Sequence, residues 1–208
     1  MKRIEEEKPV TRRDVLSKIA ALALGLAGVR AQGAPSKPAK PTKPIKPAGP
    51  ARWDDRMEMG VDFEINQPDG FRYRPPYVAV WLEDKDGNAV RTLSLWVEYP
   101  RGSRWISELR RWYRDGQAVY ASGGPDLIVT ASSVTRMPGR YSLVWNGRDD
   151  RGRPVMQGTY TVNLETAREH GPYTLMQKTV DIGAKPFTAA VTGNEELKGA
   201  TVEYRKRK

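Results

Sequence analysis

The sequence predicts a mainly β fold, an immunoglobulin-like antiparallel β-sandwich carrying one short amphipathic helix. Three observations lead there. From residue 57 the apolar residues fall in short runs with the two-residue period of a half-buried strand. Clusters of Asp, Gly and Pro punctuate those runs. One segment of the body, 103–115, shows helical spacing instead.

In chain order, Met57, Met59, Val61, Phe63 and Ile65 alternate with Glu58, Gly60, Asp62 and Glu64, and Pro68-Asp69-Gly70 follows as a turn. Tyr77 to Leu82 reads as the next strand. Asp84-Lys85-Asp86-Gly87-Asn88 reverses the chain, and Val90 to Val97 returns with Leu93, Leu95 and Val97 on one side, making a hairpin. In SRWISELRRWYRD, Trp105, Leu109 and Trp112, with Ile106 and Tyr113 beside them, line one face of a helix. Ser103 or Ser107 is its expected cap, Glu108 with Arg111 or Arg104 its opposite side, and Asp115-Gly116 its expected end. A short apolar run occupies 126–132. Pro138-Gly139 opens the strand Arg140 to Trp145, Asn146 to Val155 is the turn region, and Gly158 to Glu165 returns with Tyr160, Val162 and Leu164 on one face. Tyr173 to Ile182 and Lys198 to Tyr204 complete a set of about seven or eight strands. A faint echo links Val80-Trp81 before Asp84-Lys85-Asp86-Gly87-Asn88 to Val144-Trp145 before Asp149-Asp150-Arg151-Gly152-Arg153. Two hairpins with similar turns explain it.

The chain has 208 residues, a formal charge of +10, one His and no Cys. Disulfides, thiol nucleophiles, thiolate metal sites and any centre needing two imidazoles are excluded. The charge suggests nucleic acid until its distribution is read. Residues 1–31 hold seven basic and four acidic residues, 32–50 hold four Lys and no acid, and Arg205-Lys206-Arg207-Lys208 adds four cations. The remaining body is close to neutral, so no nucleic-acid partner is expected.

Four parts follow: a signal peptide over 1–31, a Lys/Pro-rich extended linker over 32–52, the β-sandwich over 53–204 and a basic tail over 205–208. The signal rests on a polar start, the apolar segment IAALALGLAGV at 19–29 and a small-residue exit. An amphipathic helix of a cytosolic domain is the alternative, but 19–29 has no polar face. Arg12-Arg13 ahead of the apolar segment resembles a twin-arginine signal, with Val15 where Phe is commoner and Ser17 where Lys is expected. PSKPAKPTKPIKPAGP at 35–50 repeats Lys-Pro triplets, which favour polyproline II. It is a plain spacer or one drawn transiently to an anionic envelope surface.

Tyr141 to Tyr160 resembles the W-D/N-G-x-D-x-x-G hairpin of immunoglobulin-like modules such as those of flagellar hook-capping proteins, with Asn146 where Asp is common. The body also resembles a family of predicted periplasmic proteins of unknown function. The matching residues are Pro75 to Asp84, Val90 to Trp96, Trp105, Trp112 and the hairpin. Members are often encoded beside periplasmic flavin transferases and PepSY-type membrane proteins. The resemblance implies a periplasmic role near flavin-linked redox or iron-handling machinery, with no established catalytic residue or ligand.

Candidate sites are few. Asp84, Asp86 and Asn88, or Asp149 and Asp150, are turn residues or calcium ligands; no EF-hand pattern is present. His170 lies in a loop, either exposed or as a lone haem or metal ligand or general base. Trp81, Trp96 and Trp145 belong in or beside the core. Trp105 and Trp112 either pack the helix onto the sheet or, with Arg111 and its neighbours Arg110 and Arg114, line a ligand or partner surface. Arg12 and Arg13 serve export, and no catalytic residue, metal site or cofactor is assigned. Two function classes remain: a non-catalytic periplasmic accessory module that binds a periplasmic or membrane-associated protein, and a flavin-, haem- or metal-binding protein.

Overall fold

The computed structural model describes residues 49–67, 73–169, 171–183 and 185–207. The expected signal with Arg12 and Arg13, most of the linker, and His170 lie outside the described residues. In chain order the strands are β1 (Met57–Ile65), β2 (Tyr77–Asp84), β3 (Ala89–Trp96), β4 (Ser132–Ser133), β5 (Gly139–Trp145), β6 (Gly158–Ala167), β7 (Tyr173–Ile182), β8 (Phe187–Thr192) and β9 (Leu197–Lys206). They form two sheets, ordered β5-β1-β9-β8 and β4-β3-β2-β6-β7. Every pairing is antiparallel except the short β3–β4 contact.

The alternation in β1 does what its period requires. Met57, Met59, Val61, Phe63 and Ile65 are all buried, facing Val78, Val80 and Leu82 of β2 and Val162 and Leu164 of β6 across the sandwich. Trp96, Trp145 and Tyr204 fill the same core. In the seven-strand immunoglobulin order the sheets run A-B-E-D and C-F-G. Here β5–β1 and β2–β6–β7 match the neighbours E–B and C–F–G, while C-terminal β9 takes the place beside β1 that strand A takes there. The β8–β9 pair and the β4–β3 extension beside β2 depart from that order.

β2 is buried on both faces, because a helical layer covers the side turned away from β1. Its unbroken apolar run is the matching sequence signal. Ala79, Trp81, Leu95 and Val97 pack there against Ile106, Leu109, Trp112 and Leu127. The single helix expected over 103–115 is divided. A 3₁₀ segment spans Ser103–Glu108, and α1 (Arg110–Ala121) begins after Leu109, whose φ of −79° and ψ of 70° break the regular path. α1 runs on through Asp115 and Gly116, and neither Ser103 nor Ser107 caps it. The apolar run at 126–132 forms another short helix, α2 (Leu127–Ala131), capped by Asp126, which accepts from the backbone N–H of Ile128 and Val129.

Both ends of the body reach further than the composition suggests. Ala51 C=O accepts from Gln157 N–H, and Arg52 pairs with Met156, so these residues join the sandwich although the Lys/Pro pattern places them in the linker. Arg205 and Lys206 belong to β9, where Arg205 pairs with Glu58 at 2.9 Å. The Trp145-Asn146-Gly147 signature also has a steric cause. Gly147 has φ +75°, and a Cβ there would lie 2.0 Å from the ring of Trp53.

Candidate functional site

The outer face of the second sheet carries two buried carboxylates, Glu83 on β2 and Glu165 on β6. α1 has no cap of its own, so its first backbone N–H groups need acceptors from elsewhere. Glu165 supplies them. One carboxylate oxygen accepts from Arg111 N–H at 2.8 Å and the other from Trp112 N–H at 2.7 Å. A negative charge at this end also suits the helix dipole. Burial raises the pKa of Glu165, opposed by those two N–H donors. Tyr173 donates to the same carboxylate, and burial followed by this hydrogen bond pushes the phenol up to about 12.

Arg111 joins α1 to β2 through its side chain. Its Nε and Nη2 fork onto Glu83 at 3.1 and 2.8 Å, and Nε also reaches Asp115 at 3.2 Å. Trp81 Nε1–H donates to Glu83 at 3.2 Å, and Arg114 Nε to Asp115 at 3.0 Å. Burial, then the adjoining Asp115, raises the pKa of Glu83. Trp112 Nε1–H donates to Thr92 Oγ1 at 3.1 Å, and its ring is 1% exposed. Trp112 is therefore a packing residue and offers no open face. Arg111, placed by helical spacing on the solvent side, turns inward.

The rim of this layer is different. Exposed Arg104 lies over the half-buried Trp105 ring at 5.2 Å, and exposed Arg110 over the Tyr173 ring at 4.8 Å. Register puts Tyr77, Ala167 and Tyr173 side by side across β2, β6 and β7. Burial, then the charge of Glu169, raises the pKa of Tyr77, and Glu169 is itself ion-paired to Arg74. Two Arg–aromatic stacks thus stand on a platform braced by buried ion pairs.

A family model described as Predicted periplasmic protein (DUF2271) matches residues 58–199. The chain belongs to that family. The protein is accordingly periplasmic, and no helix among the described residues is long and apolar enough to cross a membrane. No curated protein matches the chain, and no solved structure does. The span matched by the family contains Glu83, Arg111 and Glu165 as well as both Asp/Gly turns.

Those turns share one hydrogen-bond scheme. Asp84 Oδ1 accepts from the N–H groups of Asp86 and Asn88, and Asp149 Oδ1 from those of Arg151 and Arg153. Gly87 and Gly152 follow with φ +79° and +77°. The faint echo in the sequence is this repeated Asx turn. The carboxylates expected as calcium ligands use their oxygens to hold the turns, which favours the structural reading. Both turns border a cleft of about 560 Å³ that also contains Asp150. Burial raises Asp150 to about 6, although both oxygens accept from Thr92 N–H, at 3.1 and 3.2 Å.

The sequence pattern named Trp105, Trp112 and Arg111 as a candidate surface and did not name Glu83 or Glu165; Trp112 packs in the core and Arg111 is held by Glu83 and Asp115. An indirect signal was available: a helix lacking an acid or capping residue in its first turn needs an acceptor from another element.

Proposed function

We propose that the protein is a non-catalytic periplasmic interaction module, and that it docks an envelope partner through the Arg104–Trp105 and Arg110–Tyr173 stacks. The observation carrying this reading is the contrast in commitment. The buried carboxylates Glu83, Asp115 and Glu165 are spent on α1, while the guanidinium groups of Arg104 and Arg110 face solvent on a rigid base. Exposed Arg–aromatic surfaces are the chemistry of interaction hot spots. The partner surface carries carboxylates or phosphates, and a component of flavin-linked redox or iron-handling machinery is the class we favour.

A test is co-purification from native membranes with the wild type and with an Arg104→Glu, Arg110→Glu variant of unchanged thermal stability. Loss of the same membrane-associated protein is expected with the variant. Equal recovery with both proteins counts against this surface. The stacks also suit a planar anionic cofactor, which is the second reading. A flavin or haem absorption spectrum near one equivalent in protein isolated from its own periplasm would replace the interaction module by a cofactor carrier.

A further inference from the structure

We propose that β8 is a self-pairing edge, and that two copies of this chain join antiparallel through it to extend the β5-β1-β9-β8 sheet across a two-fold axis. An open sheet edge presents unpaired N–H and C=O groups, and proteins ordinarily guard it with charge, proline, brevity or a cover. The other edges are guarded. β5 carries Arg140, paired to Glu64 at 3.1 Å. β7 carries Lys178 and Asp181. β4 is two residues long, and Asp150 covers the neighbouring stretch of β3, accepting from Thr92 N–H and donating its own N–H to Val90 C=O.

β8, FTAAVT, has neither charge nor proline. β9 pairs with it on one side, and among the described residues no other element is hydrogen-bonded to it in the sheet. Ala190, Val191 and Thr192 line a groove of about 410 Å³ together with Leu175 to Lys178 of β7, and β7 is not paired to β8 in either sheet.

The strand is also self-complementary. A two-fold axis normal to the sheet keeps each residue on its own face, so facing pairs must share an orientation. An axis through Ala190 satisfies this. Thr188 then faces the partner's Thr192, Ala189 the partner's Val191, and Ala190 the partner's Ala190. Exposed Thr188, Ala190 and Thr192 continue the solvent face, while half-buried Ala189 and Val191 continue the core row. Thr–Thr pairs are favourable across strands, and no like charges meet within the strand. A six-residue ladder buries well under the roughly 1,200 Å² of a standard interface, so the dimer is concentration-dependent.

Sedimentation of the full protein as exported, across about a hundred-fold range of concentration, tests this. The wild type should pass from monomer to dimer. Ala190→Lys and Ala190→Glu, at an exposed position, should each remain folded and associate at least about tenfold more weakly, since like charges then meet at the axis. Mixing the two variants should restore dimers. A wild type that stays monomeric, variants that dimerise like the wild type, or a mixture that fails to recover would each overturn the proposal. So would a different protein found paired to β8 in material from the periplasm.

Discussion

The two faces of the β4-β3-β2-β6-β7 sheet solve the same packing problem by different chemistry. Its inner face meets β1 through Val78, Val80, Leu82, Val162 and Leu164, all apolar and fully buried. Its outer face holds α1 with apolar contacts around Trp81 and Trp112, and in addition through Glu83, Glu165 and Arg111. Apolar packing is non-directional and leaves several registers nearly equivalent. A carboxylate that must meet two N–H groups at 2.7–2.8 Å fixes the start of the helix. The difference teaches that the inner face supplies cohesion, while the outer face supplies position for the Arg–aromatic rim.

Substitutions on the inner face should have the largest effect. Trp145→Ala removes a ring packed against Trp53 at 4.8 Å and Tyr160 at 5.4 Å, and should cost about 3–5 kcal/mol by denaturant unfolding. On the outer face, Arg111→Met leaves Glu83 and Asp115 without their shared cation and should cost about 3 kcal/mol at neutral pH. Because burial already raises Glu83, the carboxyl can protonate, and the loss should shrink at acidic pH. Adding Glu83→Gln to Arg111→Met should recover much of it, whereas a plain cavity effect would not respond to pH or to the second change.

Asp150 sharpens the comparison at the edge of the sheet. Its folded pKa of about 6 lies above the ordinary aspartate value of 3.8, so between those values the folded state binds more protons than the unfolded state. Stability from this group is therefore highest below that window and declines as pH rises through it, by at most about 3 kcal/mol. Asp150→Asn should remove this decline from a pH series of unfolding curves; an unchanged slope would exclude Asp150 as its source. The smallest effects belong to the matched turns. Asp84→Ala and Asp149→Ala should each cost about 1–2 kcal/mol, similar to one another, as loss of the same capped turn requires.

What the sequence made legible follows this division. Strict alternation located β1 to the residue, because one buried face leaves only one register. The hairpin turns were legible through Asp and Gly, whose backbone preferences are local. The helix was legible in its apolar stripe and not in its limits. Its break at Leu109 and its start at Arg110 answer to Glu165, some fifty residues further along the chain. Arg111 followed the same logic: helical periodicity assigns it to solvent, while a buried Glu83 draws it inward. The apolar run at 126–132 was too short for period to separate strand from helix, and the Asp126 cap decided it.

Hydrogen exchange on wild type and Glu165→Ala, read at single amides, tests most directly whether α1 is positioned by the Glu165 carboxylate. The account predicts that Arg111 and Trp112 N–H lose protection by at least about tenfold while Val61 and Phe63 in β1 keep theirs. Unchanged protection at Arg111 and Trp112, or an equal loss in α1 and β1, would contradict it.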